Sequence, residues 1–360
     1  MSVLKNLNVF HLASLICIGA FALLKLADTL SIGMVILTGL LFAVAVLTSI
    51  HHAESIAEKF GPALGTLILA IAVTVIEVGL IVNMMATATS GGAEIARDTV
   101  FSAVIVVTNG ITGFCFLLGG LRYKELGFRV EGTSSLLAVL ATLVTISLVL
   151  PNFTTTTPAA TYSSAQLVFV SIVSVVLYAT LVIAQTVTHK DYFAESDTQK
   201  EIIHTEKPSG IMTLLNAICL IISLMAVIGL AKTLSPSIES GLVAVGAPRS
   251  TLGIILALLV LLPEAGSALK AARANQLQTS LNLALGSGAA SVALTIPVIA
   301  FYSIFAEKQV ALGLDAKGMA FLALTFIVSG LTLGTGKTAA LKGIVHLMIL
   351  FSYISLTFMP

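Results

Sequence analysis

Apolar runs of about 18–25 residues recur along the whole chain, and the hydrocarbon core of a bilayer calls for a helix of about 20 such residues. Inside lipid the backbone must satisfy its own hydrogen bonds, so runs of this kind form helices or a closed barrel. A barrel would show segments of about ten residues with alternating polarity, and these runs do not alternate. Composition points the same way. Of 360 residues, 57% are hydrophobic and 10% are Asp, Glu, Lys or Arg, where a soluble domain carries roughly 25% charged residues. Too few polar groups remain to cover a water-facing surface, which excludes a soluble multidomain enzyme.

Eleven spans follow from the runs: residues 9–27, 31–50, 62–86, 98–120, 133–151, 162–186, 211–231, 250–269, 279–304, 316–334 and 339–358. The first resembles a signal peptide, but no small-x-small cleavage site precedes the next charges, so it is expected to stay as a helix. Cys17, Cys115 and Cys219 fall inside apolar runs and read as small packing residues. The polar stretch THKDYFAESDTQKEIIHTEKPSG at 188–210 divides the chain. The expected organisation is an extra first helix (1–30), a five-helix repeat (31–187), a polar linker (188–210) and a second five-helix repeat (211–360). Five is odd, so matching halves enter the membrane from opposite sides, as in many secondary transporters. Spans three and eight, GPALGTLILAIAVTVIEVGL and GAPRSTLGIILALLVLLPEAGSAL, support the match. Each opens with Gly and Pro and carries one late acid, Glu77 and Glu264.

Charge sets the expected orientation. With the N-terminus inside, the inner segments hold twelve Lys and Arg residues and the outer ones six, and the cytoplasmic side is the richer one. The C-terminus is then outside. The 188–210 linker is cytoplasmic, with five acidic residues against three lysines, and reads first as a solvated connection.

An ionised carboxylate in hydrocarbon costs at least a few kcal/mol and usually faces a bundle interior or an aqueous cavity. A helix-end acid paired with a base is the plainer explanation. It has some force for Glu264, with Lys270 and Arg273 following, and less for Glu77, whose span carries no base. Two acids with no intramembrane base suit a hard cation and also suit protons. A pair that holds one or the other couples the two fluxes. Neutral oxygens on the same and neighbouring spans extend the candidate set to Thr74, Ser102, Asn109, Asn282 and Ser287, although small polar residues also serve close helix packing. Glu54 stands near the inner end of span two as a candidate entrance group, and neighbouring His51 and His52 read as unspecialised.

AVTVIEVGLI, ARDTVFSAVIVVTNG and LLPEAGSALKAARANQLQTSLNLALGSGAASVALTIP resemble the calcium/cation–proton exchangers of the CaCA superfamily, most closely the bacterial ChaA-type branch. GFCFLLGGLR at 113–122 is similar to the end of the fourth helix in that family. The resemblance runs from span two onward. It implies an all-α polytopic antiporter of about eleven transmembrane helices, an extra first helix followed by two inverted-topology five-helix repeats. It further implies that Glu77 and Glu264 bind the cation, that Asn282 and Ser287 add oxygens, and that Glu54 is the acid ending the second helix. Thr74-Val75-Ile76 stands where the wider family has a Gly-Asn pair, and Pro263 precedes the second acid. Fewer amide oxygens beside the acids leave a cation class rather than one ion.

The expected function is therefore export of Ca²⁺, or of Na⁺ or K⁺, in exchange for H⁺ across the inner membrane. A purely monovalent antiporter and a carboxylate-lined channel are the alternatives. No enzymatic role is expected. GTGKT at 334–338 lacks the spacing and the preceding strand of a phosphate-binding loop, and HHAE lacks the HExxH spacing of a zinc hydrolase. No cofactor, nucleotide or nucleic acid is expected; the partners are the transported ions and lipid, with a homo-oligomer left open.

Overall fold

The computed structural model describes residues 9–24, 31–60, 62–87, 92–157, 160–195, 209–248 and 250–359. Its helices are α1 (Val9–Leu24), α2 (Ile32–Phe60), α3 (Pro62–Thr87), α4 (Ile95–Tyr123), α5 (Val130–Phe153), α6 (Ser164–Thr188), α7 (Gly210–Ala244), α8 (Ser250–Arg273), α9 (Leu277–Phe305), α10 (Ala316–Leu333) and α11 (Ala340–Phe358). Among the described residues, eight helices are long and apolar enough to cross a membrane. A ninth, α8, qualifies as two segments, Ser250–Leu262 and Glu264–Arg273, bent by 56°. Val9–Leu24 and Ile71–Ala86 are shorter apolar helices. The protein is thus an all-α polytopic membrane protein. Cys17, Cys115 and Cys219 are buried and free, in keeping with packing roles.

The helices fall into two compact units that do not follow chain order. One holds α1, α2, α3 and α7; the other holds α4–α6 and α8–α11. In the first unit α2 packs against α1, α3 and α7, and α7 also meets α1 and α3. Glycines set these approaches. A Cβ on Gly229 of α7 would lie 2.6 Å from Phe21 Cζ of α1, so the ring fits only over bare backbone, the usual use of small residues between membrane helices. His52, expected to be unspecialised, is fully buried. Its Nδ1 faces Asn216 Oδ1 of α7 at 2.9 Å and its Nε2 faces Ser14 Oγ of α1 at 3.1 Å, so both ring nitrogens are used, as buried polar groups require.

In the second unit α4 and α9 are the most enclosed spans, with 89% and 67% of their apolar windows buried. Contacts at the two ends fix the helix directions. At one end Leu126–Gly127 (β1) pairs antiparallel with Lys337–Thr338 (β2), Lys337 meets Glu125 at 2.8 Å, and Tyr123 donates to the Arg273 carbonyl at 2.8 Å. Hydrogen bonding to Glu125 raises the Lys337 pKa above the ordinary lysine value. At the other end Ala311 N donates to Ala93 O (3.0 Å), Gly313 N to Ala160 O (2.9 Å) and Leu314 N to Leu148 O (2.8 Å). Lys317 Nζ reaches Leu356 O there at 3.0 Å. It follows that α4, α6, α8 and α10 run one way, and α5, α9 and α11 the other. Packing shows a matching symmetry: α4 rests on α11 as α9 rests on α6, and α5 meets α6 as α10 meets α11.

Candidate functional site

Three candidates lie in the first unit. Glu77, in the second half of α3, is 3% exposed. Ile71, Val75 and Ala86 turn outward, whereas Thr74, Glu77, Ile81 and Met84 share the buried face at helical spacing. The carboxylate therefore points to the protein interior and not to lipid. Glu54 is exposed near the end of α2, one turn before exposed Glu58.

The other five lie in the second unit. Glu264 is half-buried, its Oε2 atom enclosed, and it is the first residue after the α8 bend. Proline at 263 has no N–H to donate one turn back, a usual cause of such a bend. Along α4, Asp98 abuts Gly253 of α8. Asn109 and Glu264 lie eleven residues beyond those two positions, or about 16 Å along two helices running the same way. Each is thus about three turns further along its own helix.

Asn109 and Ser102 nevertheless turn to α10 and α11. Residues 106–111 form a π-helical segment in α4, a distortion frequent at functional sites. Within it Asn109 Nδ2 donates to Thr325 Oγ1 at 2.9 Å and to Thr108 Oγ1 at 3.3 Å. Thr108 gives its own proton to Val104 O at 2.6 Å. That leaves Asn109 Oδ1 for His346 Nδ1 at 3.1 Å, and His346 Nε2 faces Thr332 Oγ1 at 2.8 Å. Ser102 pairs with the Tyr353 hydroxyl at 2.8 Å. On α9, Asn282 donates to Phe193 O at 2.6 Å and accepts from Gln278 Nε2 at 2.9 Å. Ser287 is half-buried, about 15 Å from the start of α9, and its neighbour Gly286 borders open space. Thr325, Thr332, His346 and Tyr353 escaped the sequence analysis. Each pair repeats at seven residues on its helix, a polar stripe that could have marked them.

The profile of the sodium/calcium exchanger proteins matches residues 30–187 and again 215–359. The chain belongs to the sodium/calcium exchanger family. Within it, the chain is 42% identical over 344 residues to y4hA of Sinorhizobium fredii, named as an ionic transporter, covering 95% of this chain and 93% of that one. It is 34% identical over 332 residues to the sodium-potassium/proton antiporter ChaA of Escherichia coli K12, covering 90% of each. The crystal structure of the H⁺/Ca²⁺ exchanger CAX shares the fold at 16% identity, with a TM-score of 0.70 over 96% of this chain and 86% of that one. This exchanger is accordingly a transporter and not an enzyme, as its sequence led one to expect.

Proposed function

We propose that the chain is a secondary antiporter of the bacterial inner membrane that exports Ca²⁺, Na⁺ or K⁺ against inward H⁺, with Glu77 and Glu264 each holding cation or proton in turn. The observation that carries this is a carboxylate buried on the inner face of an apolar helix, with a second at the bend of α8, in a member of an exchanger family. Thr74, one turn before Glu77, and Ser287 on α9 serve as neutral ligands. Ser102, bonded to α11, and Asn109, bonded to α10 and α11, brace α4 at two levels about 10 Å apart. Asn282 is a ligand when freed from Phe193, and Glu54 lies on the inner approach.

The proposed architecture is α1 followed by two inverted repeats, α2–α6 and α7–α11, eleven spans in all, with 188–210 as the cytoplasmic linker. The double match of the family profile to 30–187 and 215–359 supports it. So do the opposite directions of α4 and α9, α5 and α10, and α6 and α11. For orientation, one end of the second unit carries Arg122, Lys124, Arg129, Lys190, Lys270, Arg273, Lys337 and Lys342, while the other carries Arg97, Lys308 and Lys317. The richer end is assigned to the cytoplasm, which puts the N-terminus inside and the C-terminus outside.

A monovalent-only antiporter is the second reading, favoured by the similarity to the sodium-potassium/proton antiporter ChaA. One assay separates the two. Proteoliposomes with an internal pH dye and an imposed proton gradient receive Ca²⁺, Na⁺ or K⁺ in separate runs. Saturable collapse of the gradient by one ion names the cargo; collapse by Na⁺ or K⁺ alone selects the second reading. No response to any ion from folded, inserted protein ends the antiport proposal.

A further inference from the structure

We infer that residues 189–195 form a latch across α5 and α9, set by Glu195 as a positioning residue, and that the closed latch withholds Asn282 from transport. The first turn of a helix leaves N–H groups without intrahelical partners. Gln276, at the start of α9, makes no side-chain cap. The cap comes from elsewhere: Glu195 Oε2 accepts from Thr279 N at 3.0 Å and from Thr279 Oγ1 at 3.2 Å. A carboxylate there also meets the positive end of the α9 dipole.

Two more contacts seat the same segment. The Phe193 carbonyl takes the Asn282 amide at 2.6 Å. Gly132, in the first turn of α5, lies so close to the Tyr192 carbonyl that a Cβ would collide with it. Gln278 joins the two helices, accepting from Arg129 N at 2.7 Å and donating to Asn282 Oδ1 at 2.9 Å. The seated segment thus engages the Asn282 amide nitrogen, while Gln278 of the same helix engages its oxygen. The opening residues of the polar linker hold the starts of α5 and α9 together, so the closed latch is the resting state and release speeds turnover.

This inference rests on the antiport proposal, and its test separates the two. Hydrogen exchange is followed in the purified full chain over the first two turns of α9, for wild type, Glu195→Ala and Glu195→Gln. A hydrogen bond to a charged acceptor is the kind lost, so Glu195→Ala should lower protection of the Thr279 amide about tenfold, with Glu195→Gln between, since its amide oxygen still accepts. In proteoliposomes Glu195→Ala should raise the maximal exchange rate and lower the apparent KM for the cation, because the freed Asn282 joins its ligands. Unchanged protection overturns the latch whatever the transport result. Faster hydrogen exchange with a slower or unchanged ion flux makes Glu195 a fold residue only and overturns it too. Absence of ion exchange in wild type would end the antiport proposal, while hydrogen exchange would still judge the latch.

Discussion

A carboxylate that is 3% exposed in an apolar helix must hold a proton or meet a cation or donors, because an isolated buried charge is too costly to persist. Glu77→Gln keeps the shape and removes the charge. Cation-driven proton flux should then fall to the protein-free background while the amount of inserted, monodisperse protein stays the same; Glu264→Gln should behave likewise. Normal flux in Glu77→Gln would remove it from the site. His346 makes a different kind of claim. His346→Leu would leave Asn109 Oδ1 and the Thr332 hydroxyl without their present partner in a buried setting, at a cost of about 1–3 kcal/mol. Thermal unfolding in detergent should show that loss. The acids were legible in sequence because one charge in an apolar run stands out without knowledge of its neighbours. The commitments of Asn109 and Ser102 were not, since Thr325 and Tyr353 lie 216 and 251 residues away.

The places of the spans were readable because hydrocarbon thickness demands about twenty apolar residues, but their ends were not: α2 (Ile32–Phe60) and α7 (Gly210–Ala244) run well past the expected 31–50 and 211–231. Nor were the bends. Away from the helix ends, prolines lie at 236, 263 and 297, yet α7 and α9 remain single apolar spans while α8 is bent by 56°. The missing N–H is common to all three; tertiary packing decides whether the helix absorbs the loss or breaks. Helix partners were equally hidden, for they depend on where glycines let backbones meet. On α11, a Cβ at Gly343 would lie 2.6 Å from Gly113 O of α4, a backbone atom that cannot swing aside. Gly343→Ala should therefore destabilise by about 1–3 kcal/mol, the usual cost of overpacking. Gly330→Ala, where a Cβ has open space, should leave the unfolding midpoint unchanged and serves as the control.

The division of the molecule into units that each draw on both halves of the chain follows from no periodicity or motif, since chain order says nothing about which repeat's helices share a core. Function at this scale is nonetheless a matter of linkage. A carboxylate that must shed a proton before it accepts a cation makes cation affinity depend on pH, by about tenfold per pH unit for each proton displaced. Acid fills the carboxylates with protons and shuts the cation out; alkali empties them. Apparent affinity for the cargo ion should thus rise with pH and level off once the acids are ionised. Measured as apparent KM at several matched internal and external pH values, the slope counts the protons that compete. With both acids titrating, the steep region should show a slope greater than one proton. Glu77→Gln and Glu264→Gln should each reduce that slope in direct cation-binding measurements, where loss of coupled transport does not hide the effect. A flat affinity across the range would mean that cation and proton do not share these carboxylates, and coupling would have to arise from changes in conformation alone.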